Sequence, residues 1–124
     1  VLVGYNKGDL QKRLILDNKL YYVRSDGRKG SMFKKDCSAA PQYLLLHHKD
    51  EAEIYELEKE EPMLTEASFL KTLGFETSGD TYLCFRLKRT ESVDIRDLYS
   101  KATQLVYDQS NYSPYFTTID KVIK

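Results

Sequence analysis

The chain has no tryptophan, and only two cysteines, two histidines and three prolines among its 124 residues. Cys37 and Cys84 stand far apart and outside any C-x-x-C spacing. A cysteine zinc site therefore has no ligand pattern to build on, and the thiols are expected to be reduced, as in a cytoplasmic protein. The two histidines, His47 and His48, are adjacent. Neighbours on a strand point to opposite faces, so they cannot chelate one ion together; one is expected near the core and the other near solvent. Long apolar runs are missing too, the longest being short stretches such as Tyr43 to Leu46. Nothing here is long enough to span a bilayer, no signal-peptide pattern is visible, and no membrane partner is expected. The glycines Gly4, Gly8, Gly27 and Gly30 form neither a phosphate-cradling G-x-x-x-x-G-K-[ST] loop nor a G-x-G-x-x-G turn, and G-x-S-x-G is absent. No cofactor is expected.

What is present fits one domain with a core of its own, 41% hydrophobic and 31% charged. The sequence begins at Val1, inside an apolar stretch, and the expectation is a single domain over 1–124, cut from a longer protein. The net charge of zero hides a segregation. Residues 1–36 carry nine Lys/Arg against four Asp/Glu, residues 47–80 three against ten, and residues 81–124 seven against five. Such a split suits a polarised surface with one face fit for an anionic partner. The same split also suits blocks that pair with each other across the fold.

Local patterns predict the elements. Val1–Tyr5 reads as a strand and Asp9 as the N-cap of a helix to about Asn18. Leu20–Arg24 is a strand, Ser25–Arg28 a turn, and 29–41 irregular with a short strand near Met32 and Phe33. Tyr43–His48 reads as a strand buried on both faces at its leucines, and Glu53–Glu58 as its hairpin partner. Glu58–Pro62 is an acidic loop, and a helix starts at Thr65 and ends at Gly74. In the strand that follows, Leu83, Phe85 and Leu87 share one face, and Tyr82, Cys84, Arg86 and Lys88 the other. Ile95, Leu98, Tyr99, Ala102, Leu105 and Val106 share one helical face, which predicts a helix over 94–107. A short strand and a last helical turn follow Pro114. The order predicts an α+β domain: a curved, mostly antiparallel sheet or small barrel with three or so flanking helices.

The acidic run Glu51–Glu61 lies on a strand and its exit, where side chains diverge, so it reads as a solvated edge rather than a cation site. The stretch from Leu20 to Lys35 is different. Arg24, Arg28, Lys29, Lys34 and Lys35 fall within twelve residues, beside Tyr21, Tyr22 and Phe33. Cations neutralise phosphates, and flat rings stack on bases. The plain alternative is a basic loop whose tyrosines belong to the sheet.

The block YLLLHHKDEAEIYELEKEEPMLTEASFLKTLGFETSGDTYLCFRLKR, about fifty residues, resembles the PUA-like superfamily that includes the EVE and ASCH domains. There, strands and a short helix build a curved β-barrel with helices around it. EVE domains carry a tryptophan and a Gly-rich strand, which this chain lacks. The resemblance implies a reader rather than an enzyme: a domain that binds RNA, or DNA carrying a modified base, as a specificity module of restriction or defence proteins. Local chemistry assigns that role to Tyr22, Arg24, Arg28, Lys29, Ser31 and Lys34, joined by Tyr82 and Arg86 from the late strand. A flipped base would stack on aromatics while the basic residues hold the backbone. Two other classes remain. Ten tyrosines would suit a protein-interaction or regulatory domain that docks on a partner protein or adjoining domain. The segment VGYNKGDLQKRL resembles part of the GIY-YIG nucleases, which would make Arg13 a phosphate contact.

Overall fold

The computed structural model describes residues 1–24, 41–110 and 112–124. The expected turn at 25–28 and the irregular stretch after it lie outside these residues, as does Cys37. Two sheets organise the rest. The first has four strands: β1 (Leu2–Tyr5), β3 (Tyr43–His48), β4 (Glu51–Glu56) and β7 (Tyr115–Phe116), in the order β4-β3-β1-β7. The second has β2 (Leu20–Arg24), β6 (Thr81–Arg86) and β5 (Met63–Glu66), in the order β2-β6-β5. Four short helices accompany them among the described residues: α1 (Asp9–Asn18), α2 (Ala67–Thr72), α3 (Ile95–Leu98) and α4 (Ile119–Val122). The α+β class holds. Among the described residues the strands do not close into a barrel, and β1 pairs with β3 in parallel, Leu2 opposite Leu44.

The pattern Leu44-Leu45-Leu46 explains why the first sheet is central. All three leucines are buried, so both faces of β3 need a cover. On one face Leu2, Leu44 and Tyr55 form a row across the register. They share a core with Tyr21, Val23, Leu83 and Phe85 of the second sheet and with Ile15 of α1. Gly4 permits the close approach: a Cβ there would lie 2.3 Å from the Tyr21 hydroxyl. On the opposite face Val3, Leu45 and Ile54 pack with Val122, Val93, Ile95 and Leu105 from the C-terminal third. No helix among the described residues is long and apolar enough to cross a membrane.

Four boundaries differ from the sequence reading. Gly8, not Asp9, caps α1, and Asp9 sits in the first turn, where its charge still favours the helix dipole. The β3–β4 turn is tighter than expected, with Lys49 at φ 55, so β4 spans Glu51–Glu56 rather than 53–58. Thr65 belongs to a strand: Met63–Glu66 pairs with β6, and the helix begins only at Ala67. It ends as expected, with Gly74 at φ 98, a left-handed conformation open to glycine. The helix over 94–107 stops at Leu98. Thr103 and Gln104 donate to the Lys124 carbonyl and Val106 to that of Val122, so tertiary pairing outweighs the helical periodicity.

Candidate nucleic-acid interface

Residues directly opposite in an antiparallel pair project their side chains to the same side. In the second sheet Arg24 stands opposite Tyr82, Tyr22 opposite Cys84, and Leu20 opposite Arg86. Tyr22, Arg24, Tyr82 and Arg86 therefore share one face. Met63 and Thr65 extend it across β5, opposite Cys84 and Tyr82. The other face holds Tyr21, Val23, Leu83 and Phe85; both faces contribute to the core, because Leu20, Tyr82 and Cys84 of the first face are buried as well. Arg86 lies four positions along β6 from Tyr82, which is level with Arg24. At roughly 3.4 Å per residue the two arginine rows are about 14 Å apart along the strands. Arg28, Lys29, Ser31 and Lys34 lie outside the described residues.

The two tyrosines are engaged within the fold. The Tyr22 hydroxyl accepts from Gln11 Nε2 at 3.0 Å and donates to the Glu76 carbonyl at 3.2 Å. Its ring centroid lies 4.8 Å from that of Phe75 and 5.4 Å from that of Tyr82. Burial raises the Tyr22 pKa, partly offset by the hydrogen bond from Gln11. Tyr82 is only 4% exposed. Its hydroxyl accepts the backbone N–H groups of Ser78 and Gly79 at 2.7 and 3.0 Å, which pins the turn before β6. Neither ring can stack on a base without leaving these partners. Cys84 between them is buried, and burial raises its thiol pKa, so it is a poor nucleophile.

The arginines are more exposed than the tyrosines. Arg24 is exposed at the end of β2. Arg86 is exposed at the end of β6, with Nε 3.5 Å from Glu60 Oε1 and Nη2 3.9 Å from Met63 Sδ. An exposed pair of this kind contributes about 0–1 kcal/mol, so a phosphate can displace the carboxylate.

The charge blocks also pair with each other. Lys12 reaches Glu53 at 3.2 Å, and Lys88 and Arg89 reach Glu56 at 3.4 and 3.3 Å. The Tyr55 hydroxyl donates to the second oxygen of Glu53. That bond, then Lys12, holds the Glu53 carboxyl below its usual range against the opposing effect of burial. Lys12 and Glu53 line a shallow cleft with Asn6, Asp9 and His48, beside the start of α1. His48 Nδ1 lies 2.8 Å from the Asn6 carbonyl, which can only accept, so Nδ1 carries the proton. Among the described residues no three His, Cys, Asp or Glu side chains are placed to hold a metal ion. Arg13 is exposed on α1.

His47 is the buried member of the histidine pair, as strand alternation predicts, at 1% exposure. Its ring lies 5.0 Å from Tyr107 and 5.5 Å from Tyr5. Nδ1 has no hydrogen-bond partner among the described residues. Burial lowers the His47 pKa; Asp108 acts in the opposite direction and His48 in the same one. The unfolded chain therefore binds a proton below about pH 6.5 that the folded chain resists. The contribution of neutral His47 is fully present above that pH. It is lost as pH falls from about 6.5 through the lower folded value. Denaturant unfolding is expected to show a drop in stability between pH 7 and 5 that His47→Leu flattens. An equal drop in that variant would contradict this assignment.

Comparison with protein-family models, with curated proteins and with solved structures finds no match for this chain. The functional reading rests on its own residues.

Proposed function

We propose that this domain binds nucleic acid through the exposed arginines at the two ends of the Tyr22–Tyr82 face of the β2-β6-β5 sheet. The observation that supports the reading is the shared face of Arg24 and Arg86, set by the pairing of β2 with β6. The sequence runs directly from Arg24 into Arg28, Lys29, Lys34 and Lys35. In this reading the arginines hold phosphates, while Tyr22 and Tyr82 support the sheet from which they project. The division fits the chemistry: phosphate contacts need exposed cations, and base stacking needs free rings. Reading a modified base, in the manner of a restriction-system specificity module, is the finer form of the proposal.

The reading has a direct consequence for salt dependence. Each phosphate neutralised adds about 0.9 to the slope of log K against log salt on duplex DNA. Arg24→Ala and Arg86→Ala are each expected to weaken binding at low salt and to lower that slope by about 1. Fluorescence anisotropy on a labelled duplex at several salt concentrations measures both. An unchanged slope in both variants would remove this face as the contact surface.

A further inference from the structure

Among the described residues the β5 edge of the second sheet pairs with no further strand; it is apolar, and the sequence around it is acidic. Ladder hydrogen bonds alternate along an antiparallel pair. The Ala67 N–H bonds the Asp80 carbonyl at 2.9 Å, in the same register as the β5–β6 pairs. Met63 and Thr65 thus turn their backbone groups toward β6. Leu64 turns its N–H and C=O away, and Glu66 its N–H. No backbone hydrogen bond among the described residues reaches these groups. The outer side of β4 differs, because Val93 donates to the Ile54 carbonyl and Lys88 to that of Glu56.

Side chains add to the opening. Leu64 is 60% exposed, Phe69 54% and Met63 40%. Edge strands that must stay single place charge, proline or a bulge on the edge itself. Here Pro62 precedes the strand and Glu66 ends it, with two apolar side chains and a threonine between. The flanking sequence carries Glu58, Glu60, Glu61 and Glu66 against Lys59.

We propose that β5 is a docking edge for an extended cationic segment of a partner protein, which adds a fourth strand to this sheet. Backbone pairing at Leu64 and Glu66 sets the register. Met63 and Leu64 point to opposite faces, so an alternating segment sets its apolar residues beside Met63 and its Lys or Arg residues on the Leu64 face, where their methylene stems cross Leu64 and their charges meet Glu66. A second copy of this chain fits poorly, because a β5–β5 pair would set the acids of one copy beside those of the other. The site adjoins the arginine face, since Arg86 Nη2 lies 3.9 Å from Met63 Sδ, but the edge pairing does not rest on nucleic-acid binding.

The test is an amide-resolved NMR titration of the full chain with a synthetic nine-residue peptide of alternating lysine and valine. Two comparison peptides accompany it. One is N-methylated at every residue, which keeps the charge and removes the ladder donors; the other has glutamate for lysine. The expected result is saturable shifts centred on the Leu64 and Glu66 amides, with at least tenfold weaker binding of both comparison peptides. Glu61→Lys together with Glu66→Lys should weaken the lysine peptide at least tenfold. No shift at β5, or equal binding of the N-methylated peptide, overturns the proposal. So does a concentration-dependent shift of the same amides without peptide, which would make the occupant a second copy.

Discussion

Phe85→Ala is expected to destabilise the domain by about 3–5 kcal/mol, the range for removing a buried phenyl ring from a packed core. Phe85 is 3% exposed and sits on the β6 face turned to the first sheet. Its ring contacts Phe116 of β7 with centroids 6.4 Å apart, so it links the two sheets directly. Truncation removes this link and leaves a void between sheets that are each tied down by their own ladders. The loss is a large part of the ~5–15 kcal/mol that holds a domain of this size together. Phe69→Ala is the internal comparison, since that ring is more than half exposed on α2 and its loss should change stability by no more than about 0.5 kcal/mol. Denaturant midpoints of the two variants give the result. A Phe85 variant as stable as the Phe69 variant would mean that the sheets do not pack on each other here.

Gly4→Ala tests the same packing from the other side. The added Cβ would fall 2.3 Å from the Tyr21 hydroxyl oxygen and 2.5 Å from Cζ, well inside contact distance. Tyr21 is 4% exposed, on the edge strand β2 with its ring in the core, and has little room to withdraw. Overpacking of this kind costs about 1–3 kcal/mol. The clash belongs to one pair of residues, so the two changes should not add. In a Tyr21→Ala background the methyl group enters space that the ring has left, and Gly4→Ala should cost far less. A double-mutant cycle is expected to give a coupling of at least about 1 kcal/mol. Additive costs would place Tyr21 away from Gly4.

Much of the fold is visible in local patterns, and its failures have local causes. The strands at Leu2–Tyr5, Leu20–Arg24, Tyr43–His48 and Thr81–Arg86 are marked by β-branched or aromatic runs bounded by turn residues. The strand at Met63–Glu66 is not. It is four residues long and mostly exposed, so no alternation marks it. The helical periodicity after Ile95 is present in the sequence, but Thr103, Gln104 and Val106 spend their backbone donors on the C-terminal segment. Nothing local to either stretch announces that pairing. The parallel pairing of β1 with β3 joins residues about forty positions apart, and periodicity carries no record of a partner that distant.

The candidate site shows the same division. Period-two spacing places Tyr82 and Arg86 on one face of β6 from sequence alone. That Arg24 and Tyr22 join them depends on the register with β2. That the two rings are occupied depends on Phe75 and on the 78–79 turn, which local spacing does not connect to them. Aromatic residues beside basic ones looked like stacking platforms; the structure gives the rings internal partners and leaves the arginines exposed.

The central claim is nucleic-acid binding, and the most direct measurement is fluorescence anisotropy of the intact chain at two salt concentrations. The probes are a single-stranded DNA, a duplex, the same duplex with modified cytosine, and an RNA. The account predicts binding at low salt that weakens as salt rises and that favours one member of the panel. Absence of binding to every probe at low salt would contradict it, and the basic stretch that begins at Arg24 would then be a solvated or protein-docking surface.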